Sequence, residues 1–250
     1  MYGLAIAAPN LLVVPGAVAL AQNVAFWPVV VLATCPVLAV PWALALGADH
    51  RPRVAQEKGG SRVAARAAVL PSVVLLTITL AGGGVTTYLP IERPDGYLAT
   101  LVLLVFAVTA ALGRWRVGRV ADRAGTGLLL PGTVVLGVVG LAAMAAGLWR
   151  REDVLLLAGA AVFGAAYGAV QNLTLVVAFA CARGRGTSAV SAVWNAAFDA
   201  GTGIGAVVVG ALAATGMGVP AALGACAGLI AVCLPLAARA SGRPLAGAAD

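Results

Sequence analysis

The chain has 250 residues, 62% of them hydrophobic and only 10% charged, with a mean hydropathy of +1.01. Soluble domains carry about 45–50% apolar and about 25% charged residues, so this composition excludes an ordinary water-soluble globule. The net charge of +7 invites a nucleic-acid reading, but the cations sit between apolar runs and no aromatic residues interleave with a basic face, which excludes that class too.

An apolar run of about 20 residues is the length that crosses a bilayer as a helix. In chain order the runs are Tyr2–Ala21, Ala25–Leu46, Arg66–Tyr88, Tyr97–Gly113, Gly127–Leu148, Val154–Ala182, Ser188–Ala214 and Met217–Ala238. The first begins without a basic region, so it reads as a retained helix rather than a signal peptide. Gly47 to Arg66 is the longest polar stretch, and Pro52 with Gly59-Gly60-Ser61 marks a flexible linker. The resulting division is two spans in 1–46, a basic linker in 47–65, six spans in 66–238 and a tail in 239–250. The fold class is therefore all-α, a polytopic membrane helix bundle of about eight transmembrane helices.

Thirteen of the sixteen Lys and Arg fall on the linker's side of these spans; Arg93, Arg150 and Arg151 fall opposite. The positive-inside rule then places the linker and both termini in the cytoplasm, as in a multi-pass cell-membrane protein. The cations meet anionic lipid headgroups there.

Between Tyr97–Gly113 and Gly127–Leu148 lies Gly118-Arg-Val-Ala-Asp-Arg-Ala-Gly125, a charged, glycine-flanked turn. Gly82-Gly83-Gly84, ahead of Thr86, Thr87 and Tyr88, reads either as a locally unwound ligand site or as a flexible helix end. In the sixth run Tyr167, Gln171 and Asn172 either line a cavity or bond a neighbouring helix. In the seventh, Asp199 is a carboxylate inside a span, which costs about 2.5–3.5 kcal/mol and favours an interior position. It is a proton or cation site, a substrate counter-charge, or a packing anchor shared with Asn195, four residues earlier. Gly164/Gly168, Gly201/Gly205 and Gly224/Gly228 have the small-xxx-small spacing that lets helix backbones approach.

Cys35, Cys181, Cys226 and Cys233 lie in or beside apolar runs without Cys-x-x-Cys spacing and read as small core residues. His50 stands in the linker. No metal site and no cofactor are expected. The chain has no nucleophile elbow, Walker loop or His-Glu-x-x-His pattern, so no enzyme is expected either.

Gly118-x-x-x-Asp122-Arg123-x-Gly125 resembles the signature loop of the major facilitator superfamily, in the copy between helices eight and nine. Thr126-Gly127 stands where that family's fuller form continues with two basic residues. Ala8-Pro-Asn-Leu…Pro15-Gly16 is similar to a degenerate helix-five signature, and Trp194 to Gly210 to helix eleven of drug-efflux members. Asn10 to Gly16 and Asp199 to Gly205 keep one separation, as expected of paired halves. The resemblance implies helices five to twelve, a C-terminal six-helix half plus two helices of the N-terminal half, with a missing N-terminal segment or partner chain. It implies proton-coupled efflux of a lipophilic small-molecule substrate by alternating access, with Asp199, Asn195, Asn172, Gln171 and Tyr167 as substrate or proton residues. An uptake carrier for a sugar or organic acid, and a non-transporting remnant or assembly subunit, are the alternatives. Gly118, Arg119, Asp122, Arg123 and Gly125 would form a conformational latch, with Asp122 accepting hydrogen bonds from a facing helix N-terminus. The expected effect of Asp122→Asn is normal membrane insertion with impaired switching, read as lost solute flux in vesicles; unchanged flux would sink the latch.

Overall fold

In lipid each backbone N–H and C=O must find its partner within its own segment, so uninterrupted Ala, Leu and Val runs become long helices. The structure, a computed structural model, describes residues 58–94, 97–183 and 186–242, helix α1 (Trp27–Thr34) and short pieces at 16–17, 19–20, 37–38 and 40–41. Most of the two expected N-terminal spans, residues 47–57 and Ala8–Pro15 lie outside the described residues. The other elements are α2 (Lys58–Glu92), α3 (Tyr97–Ala124), α4 (Leu129–Arg150), α5 (Asp153–Cys181), α6 (Thr187–Leu212), α7 (Gly218–Val232) and α8 (Leu234–Ser241). No strand occurs among the described residues.

Five segments are long and apolar enough to cross a membrane: Gly60–Glu92, Tyr97–Ala121, Leu129–Arg150, Asp153–Cys181 and Thr187–Ser241. The last contains 55 residues and is broken by a π-helical turn at Ala213–Met217, where Gly216 has φ 88°. A left-handed residue there ends α6 and lets α7 leave in a new direction.

Two boundaries differ from the sequence reading. Gly59-Gly60-Ser61 belongs to α2 rather than to a flexible linker. The reason is tertiary: Ala64 and Ala68 are buried against Ala178, Ala182 and Val190, which outweighs the low helix propensity of the glycines. Likewise α3 does not stop at Gly113 but runs to Ala124. Most of the charged signature is thus helix, and the turn proper is Gly125–Leu128. Gly125, at φ 75°, ends the helix and donates its N–H to the Ala121 carbonyl at 2.9 Å.

The most extensive pairings are α2 with α6, α4 with α5, and α3 with α5. The residue pairs in contact advance together along α2/α6 and along α3/α5, so each of these pairs is parallel. α4 and α5 form an antiparallel hairpin through Arg151-Glu152, with Arg151 left-handed at φ 57° and Glu152 N–H on the Gly147 carbonyl at 2.9 Å. α7 lies against α4 and α2. Ser241 Oγ donates to the Gly127 carbonyl at 2.8 Å, fastening the end of α8 to the α3–α4 turn.

Glycine decides how close these helices come. A Cβ on Gly205 would overlap the Leu80 carbonyl, and one on Gly168 the Ala110 carbonyl. Gly82, Gly83 and Gly84 are neither unwound nor a frayed end. They lie within α2 and face Tyr167, Thr202 and Val209 respectively. Gly164 and Gly201 pack equally closely, on Phe106 with Thr109 and on Leu76 with Thr79. Gly224 and Gly228 differ: among the described residues both face open space. Gly168→Ala and Gly205→Ala should therefore each lose about 1–3 kcal/mol through overpacking, while Gly224→Ala should hold or gain stability. Thermal unfolding of the purified chain in detergent checks this, and equal effects at all sites would contradict the packing assignment.

Candidate functional site

Where the α2/α6 pair and the α3/α5 pair stand side by side, they enclose a partly open cavity of about 200 Å³. Gly82 and Thr86 of α2, Tyr167 and Gln171 of α5, and Phe198 and Thr202 of α6 line it. From α3 come Leu103, Phe106, Ala107, Ala110, Ala111 and Arg114. The room follows from residue size: Ala107, Ala110 and Ala111 present methyls, and Gly82 presents none. α3 and α6 have no extensive contact with each other, which leaves the space between them.

The lining is graded. Toward the Tyr97 end it is apolar, with Leu103 and an aromatic cluster. Phe106 lies 5.6 Å from Phe163 and 5.2 Å from Tyr167, centroid to centroid. Toward the Ala124 end it is polar. The Tyr167 hydroxyl lies near the side chains of Thr202 and Gln171. Arg114 Nη2 donates to Gln171 Oε1. Asn172 Nδ2 donates to the Arg114 carbonyl at 2.7 Å, so α5 holds both the backbone and the side chain of Arg114. Thr86 and Thr202 turn their hydroxyls back to Gly82 and Phe198 carbonyls in their own helices, at 3.0 and 2.9 Å.

Arg114 is the charged residue of this lining. It lies about 25 Å along α3 from Tyr97, within the reach of a hydrocarbon layer about 30 Å thick. Arginine keeps its charge in proteins. Among the described residues no carboxylate pairs with it, and its side-chain partner is the neutral Gln171 amide. The arrangement can therefore hold an anionic group at one end and apolar surface at the other.

Tyr167 and Gln171 thus reach the cavity, and Asn172 braces it from behind. Asn172 also lies against Gly118, whose Cβ position would be 3.2 Å from Nδ2. Asn195 and Asp199 do not join them. Both are exposed, four residues apart on the outer face of α6, and Asn195 Nδ2 donates to the Ser191 carbonyl at 2.9 Å rather than to Asp199. An interior position for Asp199 is therefore not what the described residues provide. Of the signature residues, Arg119 lies 4.1 Å over the Trp115 ring and Arg123 is exposed. The Asp122 side chain lies outside the described residues.

Arg114 was missed in the sequence because it stands with Arg116, Arg119 and Arg123, a cluster with the look of loop charge. The signal that marks it is helical: Phe106, Ala110 and Arg114 form an i, i+4, i+8 row on one face. Trp194 is a further contributor, stacked on Phe198 at 5.9 Å and donating Nε1 to Thr174 Oγ1 at 3.2 Å.

No protein-family model matches the chain, and no curated protein matches it significantly.

Removing one partner of the Arg114–Gln171 bond leaves a charged donor set without its acceptor, which costs about 1–3 kcal/mol. Gln171→Leu should lower stability by that amount, and Arg114→Leu with Gln171→Leu should recover part of it. A double-mutant cycle on thermal unfolding reads the coupling, and additive losses would show that the bond contributes nothing.

Proposed function

We propose that this chain is a major-facilitator-type transporter segment working by alternating access, with the cavity between α2, α3, α5 and α6 as its part of the substrate site. The observation that carries the reading is an exchange relation among the helices. Swapping α2 with α5 and α3 with α6 turns one parallel pair, α2/α6, into the other, α5/α3. The helices exchanged run in opposite directions, and α4 pairs with α7, its own counterpart. Two inverted triplets around a midplane site are the plan on which such carriers are built.

The reading extends to eight spans in the cell membrane with both termini cytoplasmic, supported by the placement of Lys and Arg. The exposed Asn195 and Asp199 support a covering partner, an N-terminal half or a second chain, because leaving Asp199 in lipid costs about 2.5–3.5 kcal/mol. Asp199 is then the candidate proton group at that interface. Proton-coupled efflux is what the resemblance implies; a wholly lipophilic cargo fits less well, since Arg114 charges the lining.

Alternating access is testable without a substrate. With the four native cysteines replaced, a single Ala107→Cys should be labelled by a membrane-impermeant maleimide from either face of oriented vesicles. Labelling from one face alone would reject a carrier and favour a static remnant or assembly subunit.

A further inference from the structure

The geometry points to an amphipathic organic anion as the cavity's ligand, its carboxylate on Arg114 and its apolar body against Phe106, Leu103 and Phe198. The inference rests on the transporter reading, since it takes the same cavity as a substrate site.

A half-buried guanidinium lining a cavity between helices normally has a counter-charge, because a desolvated cation without a partner is costly. Arg114 has the uncharged Gln171 amide instead, and none of the other residues lining the cavity can ionise to an anion near neutral pH. Gln171 Oε1 takes one donor and fixes the planar group; among the described residues no protein acceptor meets its other N–H groups. Those donors suit the two oxygens of a carboxylate, which binds a guanidinium in a fork-to-fork geometry. The other end of the cavity selects the rest of the molecule. Phe106 and Leu103 offer apolar surface there, Ala110 leaves room beside them, and Thr86 spends its hydroxyl within α2. A volume of about 200 Å³ admits an aryl or short alkyl acid but not a large drug. A cation would meet Arg114 with nothing to offset the repulsion.

The test uses the whole chain in phosphatidylcholine nanodiscs, with empty discs subtracted, and three probes of one shape: 3-phenylpropanoate, 3-phenylpropanol and 3-phenylpropylamine. Trp194, stacked on Phe198, supplies a fluorescence signal beside the cavity, and calorimetry gives the affinities independently. The acid should bind most tightly, the amine most weakly. Arg114→Gln should weaken the acid by about tenfold or more and leave the alcohol nearly unchanged. Arg114→Lys, which keeps the charge but not the fork and guards against a merely unfolded Gln variant, should bind the acid more weakly than the native chain and more tightly than Arg114→Gln. A purely structural Arg114 would weaken all three probes together, and that result overturns the proposal. Binding of the alcohol or amine in preference to the acid overturns the anion assignment while leaving the transporter reading in place. Binding of none of the three also overturns the anion assignment, and the transporter reading then stands or falls on the two-sided labelling of Ala107→Cys.

Discussion

Two parallel helix pairs, α2/α6 and α3/α5, approach until backbone touches backbone, and the remaining architecture is arranged around that contact. Between helices in lipid there is no hydrophobic driving force, since acyl chains are as apolar as leucine. Association then depends on dispersion, which falls off steeply with distance, so it rewards any position where a side chain is absent. Gly83 against the Thr202 backbone, Gly205 against Leu80 and Gly168 against Ala110 are such positions. Because each pair is closed so tightly, the pairs act as units, and the looser seam between α3 and α6 is where a cavity can exist.

The same close packing explains how a charge is kept inside. Arg114 is half-buried, and α5 holds it, with Asn172 on its carbonyl and Gln171 on its guanidinium. Desolvating a cation this way raises its affinity for whatever anion enters, because the local dielectric is low and the donors are already oriented. Tyr167 joins this polar end to the α2/α6 pair, through its ring over Gly82 and its place beside Thr202 in the cavity lining. One interaction set therefore ties the two pairs together and lines the space between them.

Much of this was legible in the chain. Leu129–Arg150 and Asp153–Cys181 fall within two residues of the runs that marked them, since long charge-free segments in lipid have no alternative to the helix. Gly164/Gly168 and Gly201/Gly205 stood out by spacing and pack as that spacing suggests. Other readings were not recoverable locally. Gly224/Gly228 has the same spacing yet faces open space, because spacing defines a face without saying what lies opposite. Gly59-Gly60-Ser61 has linker composition but is helical, because Ala64 and Ala68 have a distant surface to bury against.

By itself the sequence determined the solvent: its apolar content and the length of its runs admit little but a helical bundle in a bilayer. The tertiary structure decided which polar residues share a site. It drew Tyr167, Gln171 and Arg114 to one cavity and left Asp199 and Asn195 on an outer face. The physical reason is that hydropathy along a chain registers what a residue costs in lipid, whereas function depends on which helix face that residue turns to its neighbours. Only packing between distant segments sets that rotation.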